Sequence, residues 1–183
     1  MKWGERMDIW KELQDEGIDA ALLEEIRHFR EAHPVPPEAQ PRIPAPQCLY
    51  YGKEVWESAA AALLCGQHLL LAGPKATGKN VLAENLAAVF GRPVWDVSMY
   101  VNVDAAALIG ADTLQKGEVV FREGPICRCA RLGGFGVLDE VNMAKNEALA
   151  VLHATLDHRR VIDVPGYERI TLDDAARFIG TMN

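Results

Sequence analysis

No stretch of this 183-residue chain is long and apolar enough to cross a bilayer. The longest uninterrupted apolar run covers residues 59–65, against the roughly 20 residues that a spanning helix needs. The opening residues, Met1-Lys2-Trp3-Gly4-Glu5-Arg6, mix charges and lack the apolar stretch of a signal peptide. The expectation is a soluble, cytoplasmic protein with no membrane span. Cysteine is scarce, and Cys48, Cys65, Cys127 and Cys129 are too unevenly placed for a disulfide framework. Cys127 and Cys129 are separated by one residue, closer than the spacing of zinc knuckles, and no second pair or nearby histidine accompanies them. They read as two half-buried thiols. Positive charge is also in short supply: 19 Lys and Arg face 26 Asp and Glu, a formal charge of -7. That balance weighs against nucleic acid as the main partner, because backbone binding needs a cationic surface, although a local basic loop stays open. There is no internal repeat. What remains, 49% apolar and 25% charged residues, is ordinary for one α/β domain with or without a short appendage.

Proline divides the chain. Six of the ten prolines fall within residues 34–46, where fixed φ and missing N–H donors predict an extended, polyproline-like connector. Before it, Ile18, Leu22, Ile26 and Phe29 recur at helical spacing. They predict one amphipathic helix that docks on its own domain or on a neighbouring subunit. After it, helical and strand-like runs alternate. Residues 54–64 and 79–90 read as helices, and Leu149, Leu152 and Leu156 mark another. Residues 68–72, 93–97, 135–138 and 178–181 read as short apolar strands. Such alternation predicts a mainly parallel sheet covered on both faces, a three-layer α/β/α fold.

The strongest chemical signal is Gly73-Pro74-Lys75-Ala76-Thr77-Gly78-Lys79-Asn80. It fits G-x4-G-K, follows a predicted strand and opens a predicted helix, the context in which glycines turn backbone N–H groups toward phosphate oxygens. The helix beginning near Lys79 and extending through Val81 adds the positive end of its dipole, and Lys79 adds a point charge for the terminal phosphates. The standard loop ends in Ser or Thr, whose hydroxyl ligates Mg2+. Here Asn80 stands in that place, so its carboxamide oxygen is the candidate ligand. A second signal is the apolar run that ends in Asp139 and Glu140: Asp139 can hold Mg2+ through its water shell, and Glu140 can polarise an attacking water. A third is the last strand, ending Thr181-Met182-Asn183, whose terminal amide can orient that water.

These landmarks, in this order, resemble the AAA+ ATPases, in particular the MoxR and dynein-related group. The lead-in Tyr51-Gly-Lys-Glu-Val-Trp-Glu-Ser is similar to that group's first helix. Gly117-Glu-Val-Val-Phe-Arg-Glu-Gly124 resembles the hairpin that interrupts its second core helix. Asp139-Glu140-Val141-Asn142 is close to its acidic box, and Asp157-His-Arg-Arg160 with the Pro165-Gly166 turn resembles the hairpin before its sensor strand. The resemblance implies a P-loop NTPase core over residues 49–183, a Pro-rich linker over 34–48 and an N-terminal helical arm over 1–33. It implies ATP and Mg2+ as cofactors, with Gly73, Pro74, Lys75, Ala76, Thr77, Gly78, Lys79, Asn80 and Val81 around the nucleotide. Asn80 and Asp139 fall to the metal, Glu140 to the catalytic base and Asn183 to the sensor-1 role.

Two letters depart from the family pattern, Asn80 for Ser/Thr and Ala76 for a loop glycine. The family's helical lid and arginine finger would follow Asn183, where this chain ends, so the reading expects an incomplete core that tends to associate. Full-length relatives form chaperone-like rings that remodel a client protein, and the resemblance implies a homo-oligomeric ring. The alternative is a subunit that binds nucleotide without hydrolysing it, the reading Asn80 favours; a small-molecule kinase is a third. In the predicted hairpin, Lys116, Phe121 and Arg122 are candidates for client contact or for packing on their own domain. His153 and His158 lack metal-ligand spacing and read as surface or satisfied core residues.

Overall fold

The computed structural model describes residues 7–164 and 166–183. The leader reading of residues 1–6 and the Pro165 half of the predicted turn lie outside the described residues. The chain runs α1 (Ile9–Asp15), α2 (Ala20–Ala32), α3 (Lys53–Leu64), β1 (Leu69–Ala72), α4 (Lys79–Val89), β2 (Val94–Ser98), α5 (Ala105–Ile109), β3 (Gly110–Gln115), β4 (Glu118–Glu123), α6 (Pro125–Arg131), β5 (Phe135–Asp139), α7 (Asn146–Ala150), α8 (His153–Leu156), β6 (Val161–Ile162), β7 (Ile170–Thr171) and β8 (Arg177–Met182).

The main sheet is parallel throughout, in the order β1-β8-β5-β2. The last strand of the chain therefore sits inside the sheet, between β1 and β5. Central strands of such a sheet are buried on both faces, which is why β5 and β8 are nearly continuous apolar runs. One face, carrying Phe135, Val137 and Ile179, packs against apolar residues of α1 to α4. The other, carrying Trp95, Val97, Leu138 and Phe178, packs against α5, α6 and the segment after β5. The three-layer α/β/α architecture is as the residue pattern predicts.

Burial needs polar closure at the helix ends, and three arginines supply it. Arg177 Nε donates to the Leu63 carbonyl at the end of α3, Arg30 Nη1 to the Val89 carbonyl at the end of α4, and Arg92 Nη1 to the His33 carbonyl that follows α2. Each adds a donor to a carbonyl at a helix end and sets a cation at the negative end of a helix dipole; the Leu63 carbonyl also accepts the Gly66 N–H. Burial pushes Arg177 down to about 10.

Four sequence expectations need correction. The arm holds two helices, because Ile9 and Leu13 build α1 ahead of α2, and both bury their apolar sides in the same cluster as α3 and α4. The Pro-rich segment is not uniformly extended. It makes a 3-10 turn at Gln40–Arg42 with Pro41 inside it, where a missing N–H does no harm. Arg42 then donates to the Val94 carbonyl on the edge strand β2 and lies 5.0 Å from the Trp95 ring centroid, so the segment is clasped to the sheet. The helix marked by Leu149, Leu152 and Leu156 is broken into α7 and α8. Ala148, Leu152 and Thr155 are buried, and Leu156 faces outward. Cys127 and Cys129 are fully buried, and burial raises both thiols, Cys127 to about 12.

The predicted hairpin is present and starts earlier, at Gly110. Lys116 (φ 51°) and Gly117 (φ 88°) make its two-residue turn, the left-handed pair that matches strand twist. A second small hairpin pairs β6 with β7 ahead of β8.

Candidate functional site

Parallel strands all point their C-terminal ends toward one edge of the sheet, and ligands of such sheets sit outside that edge. Here β1 runs out into the loop at Gly73, β5 ends at Asp139, and β8, between them, ends next to Asn183. The N–H of Gly73 still donates to the Met182 carbonyl (3.2 Å), so the loop starts in register with β8.

The loop then lifts away. Gly78, at φ 83°, is the N-cap of α4, in a conformation that suits glycine. A Cβ there would sit 3.1 Å from the Tyr50 ring, which packs on the loop. No side chain caps α4, so its first-turn N–H groups and positive dipole end are left for an anion. Ala76 also takes a left-handed φ, 62°, so the glycine of the family pattern has a physical basis at this position. The Thr77 hydroxyl ties the loop to itself by donating to the Pro74 carbonyl (2.9 Å).

Lys79 Nζ donates to the carbonyls of Gly73 and Pro74 (2.8 Å each) and to Asn183 Oδ1 (3.0 Å). Asn183 Nδ2 in turn donates to Glu140 Oε1 (3.1 Å). A single amide thus joins the loop lysine to the acidic strand end. All the predicted loop residues from 75 to 81 line one cleft of about 360 Å³ together with Asp139, Glu140, Thr181 and Asn183. Gly73 and Pro74 contribute their carbonyls to Lys79.

Asn80 and Asp139 also line an adjoining cleft of about 560 Å³, roofed by Pro41 and Pro44 and containing Glu84 and Asp96. Sequence reading passed over Asp96. Burial raises its carboxyl, Arg42 opposes this, and Asp139 adds to it. The residues shared by the two clefts suit Mg2+. Asn80 and Asp139 offer hard oxygen donors beside the glycine-bounded loop of residues 73–78, and Mg2+ is commonly held by one or two carboxylates plus phosphates rather than by a protein cage.

Thr181 was also missed as a functional candidate. It is buried, and its hydroxyl lies between the two acidic residues. The signal was available, since residues two apart on a strand share a face, and Asn183 is two beyond Thr181. Of the proposed client contacts, Lys116 and Arg122 are exposed, whereas Phe121 packs toward its own domain with its ring 4.9 Å from that of Tyr167. His153 and His158 are exposed.

The dynein-related AAA domain family matches residues 68–183. A Bacillus subtilis protein, YojN, is 33% identical over 158 residues, covering 84% of this chain and 52% of its own length. A Staphylococcus haemolyticus protein is 36% identical over 118 residues, covering 62% of this chain and 45% of its own. The chain thus spans about half the length of the curated relatives it matches. A crystal structure of a Cytophaga hutchinsonii protein, named as a candidate ATPase, superposes with a TM-score of 0.58 at 16% identity, covering 95% of this chain and 47% of that one. At that identity it speaks to the fold. The family match covers well over half of the sequence, and on that ground the chain belongs to the dynein-related subfamily of AAA domains.

Proposed function

We propose that this AAA module binds Mg-ATP at the loop of residues 73–81 and hydrolyses it to remodel or activate a client protein. The observation that carries the reading is the uncapped α4 terminus with Lys79, set against Asp139, Glu140 and Asn183 on neighbouring strand ends. Lys79 holds neutral carbonyl acceptors, and a phosphate oxygen competes with them on charge. The loop N–H groups bind and orient the phosphates. Mg2+, when bound through Asn80 and Asp139, neutralises phosphate charge. Glu140 takes the proton from the attacking water, and Asn183 fixes the Glu140 carboxylate while also touching Lys79. Membership of an AAA family supports assembly into a homo-oligomeric ring, with the client engaged outside the nucleotide cleft. The division into an arm (1–33), a linker (34–48) and a core (49–183), and action in the cytoplasm, belong to the same proposal.

Asn80 favours a second reading, a subunit whose nucleotide shapes an assembly without turnover, because a carboxamide replaces the usual hydroxyl at the metal position. Titration of a fluorescent ATP analogue, with and without Mg2+, separates the two. Wild type should bind and Lys79→Ala should bind about 10–100-fold more weakly, the loss of a charge-assisted phosphate contact. Tightening by Mg2+ in wild type supports the hydrolytic reading. Metal dependence gained only on Asn80→Thr supports the structural one, and no binding by wild type refutes both.

A further inference from the structure

Glu140 is not an ordinary strand-end carboxylate. Its backbone is left-handed, at φ 56°, a region that non-glycine residues occupy only when the surroundings over-determine it. It also starts the 3-10 turn at Val141–Met143 without any side-chain cap. Something other than local preference holds it there.

The neighbouring strand supplies the restraint. Thr181 lies on β8, with 1% of its surface exposed, opposite Leu71 of β1 and one residue past the pair of Gly180 with Leu138 of β5. Its Oγ1 accepts the Glu140 N–H (3.1 Å) and donates its own proton to Asp139 Oδ1 (2.5 Å). The direction of this relay is fixed by chemistry. An amide N–H can only donate and an ionised carboxylate can only accept, so the hydroxyl, with one proton, is the group that satisfies both at once. One hydroxyl therefore sets the backbone from which the Glu140 side chain departs and occupies one oxygen of Asp139. The other Asp139 oxygen is left free of this bond.

We infer that Thr181 is a positioning residue of the nucleotide site: it aims Asp139 at the metal and Glu140 at the water, and acts through these two residues. The inference rests on the Mg-ATP reading given above. An outer partner of this kind orients a ligating carboxylate, and its loss typically weakens metal affinity or activity about 10–100-fold. The phosphate cradle of residues 73–81 makes no hydrogen bond to Thr181, so nucleotide affinity without metal should be independent of the hydroxyl.

The test is the Mg2+ dependence of binding of a fluorescent ATP analogue by the whole chain, for wild type, Thr181→Val and Thr181→Ser. Valine keeps the shape and deletes the hydroxyl, whereas serine keeps the hydroxyl and deletes the methyl. Thr181→Val should bind the analogue without Mg2+ within about twofold of wild type, and should need about 10–100-fold more Mg2+ to tighten it. Thr181→Ser should restore the wild-type metal dependence. If Thr181→Val fails to fold, Thr181→Ala carries the same comparison. A valine variant with wild-type Mg2+ dependence overturns the inference while leaving the nucleotide site standing. So does equal weakening with and without metal, the mark of a merely structural role. A wild type that binds no analogue at all overturns both.

Discussion

Lowering the pH from 7 to 5 should weaken this fold through one histidine. His68 precedes β1, and its Nδ1 accepts the N–H of Phe178 at the start of β8 (3.0 Å), with the two rings packed edge to face at 5.4 Å. An imidazole that accepts through Nδ1 must be neutral there. Burial, and then the charges of Arg160 and Arg177, push His68 down from 6.5 to about 4, against a backbone hydrogen bond at Thr155 that pulls the other way. Between those two values the unfolded chain binds a proton that the fold refuses. Stability is therefore complete above about pH 6.5 and is lost as the pH falls toward 4. Integrating that difference from pH 7 to pH 5 gives a loss of about 2 kcal/mol. At ~2–4 °C per kcal/mol for a chain of this size, Tm should drop by about 4–8 °C. The measurement is urea unfolding at both pH values for wild type and His68→Gln, whose amide oxygen can accept from Phe178 without titrating. Wild type should lose about 2 kcal/mol more than the variant. Equal losses in the two proteins would refute the assignment to His68.

Two further substitutions probe how the cleft is held. Asn85 is fully buried in α4, where Oδ1 accepts the Tyr50 N–H (2.8 Å) and Nδ2 donates to the Cys48 carbonyl (2.9 Å). Asn85→Ala leaves both backbone groups without that partner. It should destabilise by about 2 kcal/mol and lower Tm by about 4–8 °C in a thermal melt; a shift below about 1 °C would count against the role given to Asn85. Gly136 is crossed by Phe178, and a Cβ there would lie 2.5 Å from the phenyl ring and 3.3 Å from Cys129 Sγ. Gly136→Ala should overpack β5 against β8 at about 1–3 kcal/mol, read from urea unfolding, and an unchanged midpoint would show that the ring yields.

The loop and its flanking strand and helix were legible because their signal is contiguous. Glycine spacing, the lysine and the switch from an apolar run to a helical period all fall within residues 68–90. The acidic pair gained meaning only together with that loop. The interior placement of β8 rests on pairing between distant residues, such as Leu71 with Thr181, and no local pattern encodes it. Thr181 shares a strand face with Asn183, but its link to Asp139 and Glu140 crosses to a strand some forty residues away. The Pro-rich segment was misread for a different reason. Proline content fixes single φ angles but does not forbid a 3-10 turn at Gln40–Arg42, and the hold comes from Arg42 reaching a strand edge some fifty residues away. Helices α7 and α8 are too short to be stable by propensity, so packing set their break.

The position of β8 also joins the stability argument to the chemistry. Its start is pinned to the residue before β1 by His68, and its end carries Thr181 and Asn183 between the loop and the acidic pair. A strand clamped at both ends transmits slippage along its length, because sheet register shifts as a unit. Protonating His68 removes the clamp at the start of β8, and the hydrogen bonds at its other end depend on the same register. Acid should therefore loosen the contact of Asn183 with Lys79 and Glu140 before the fold is lost. Metal-dependent nucleotide binding should fall at a higher pH than secondary structure does, and His68→Gln should close the gap between the two curves. Coincident curves in wild type would mean that β8 holds its register without the histidine, and that the cleft and the core fail together.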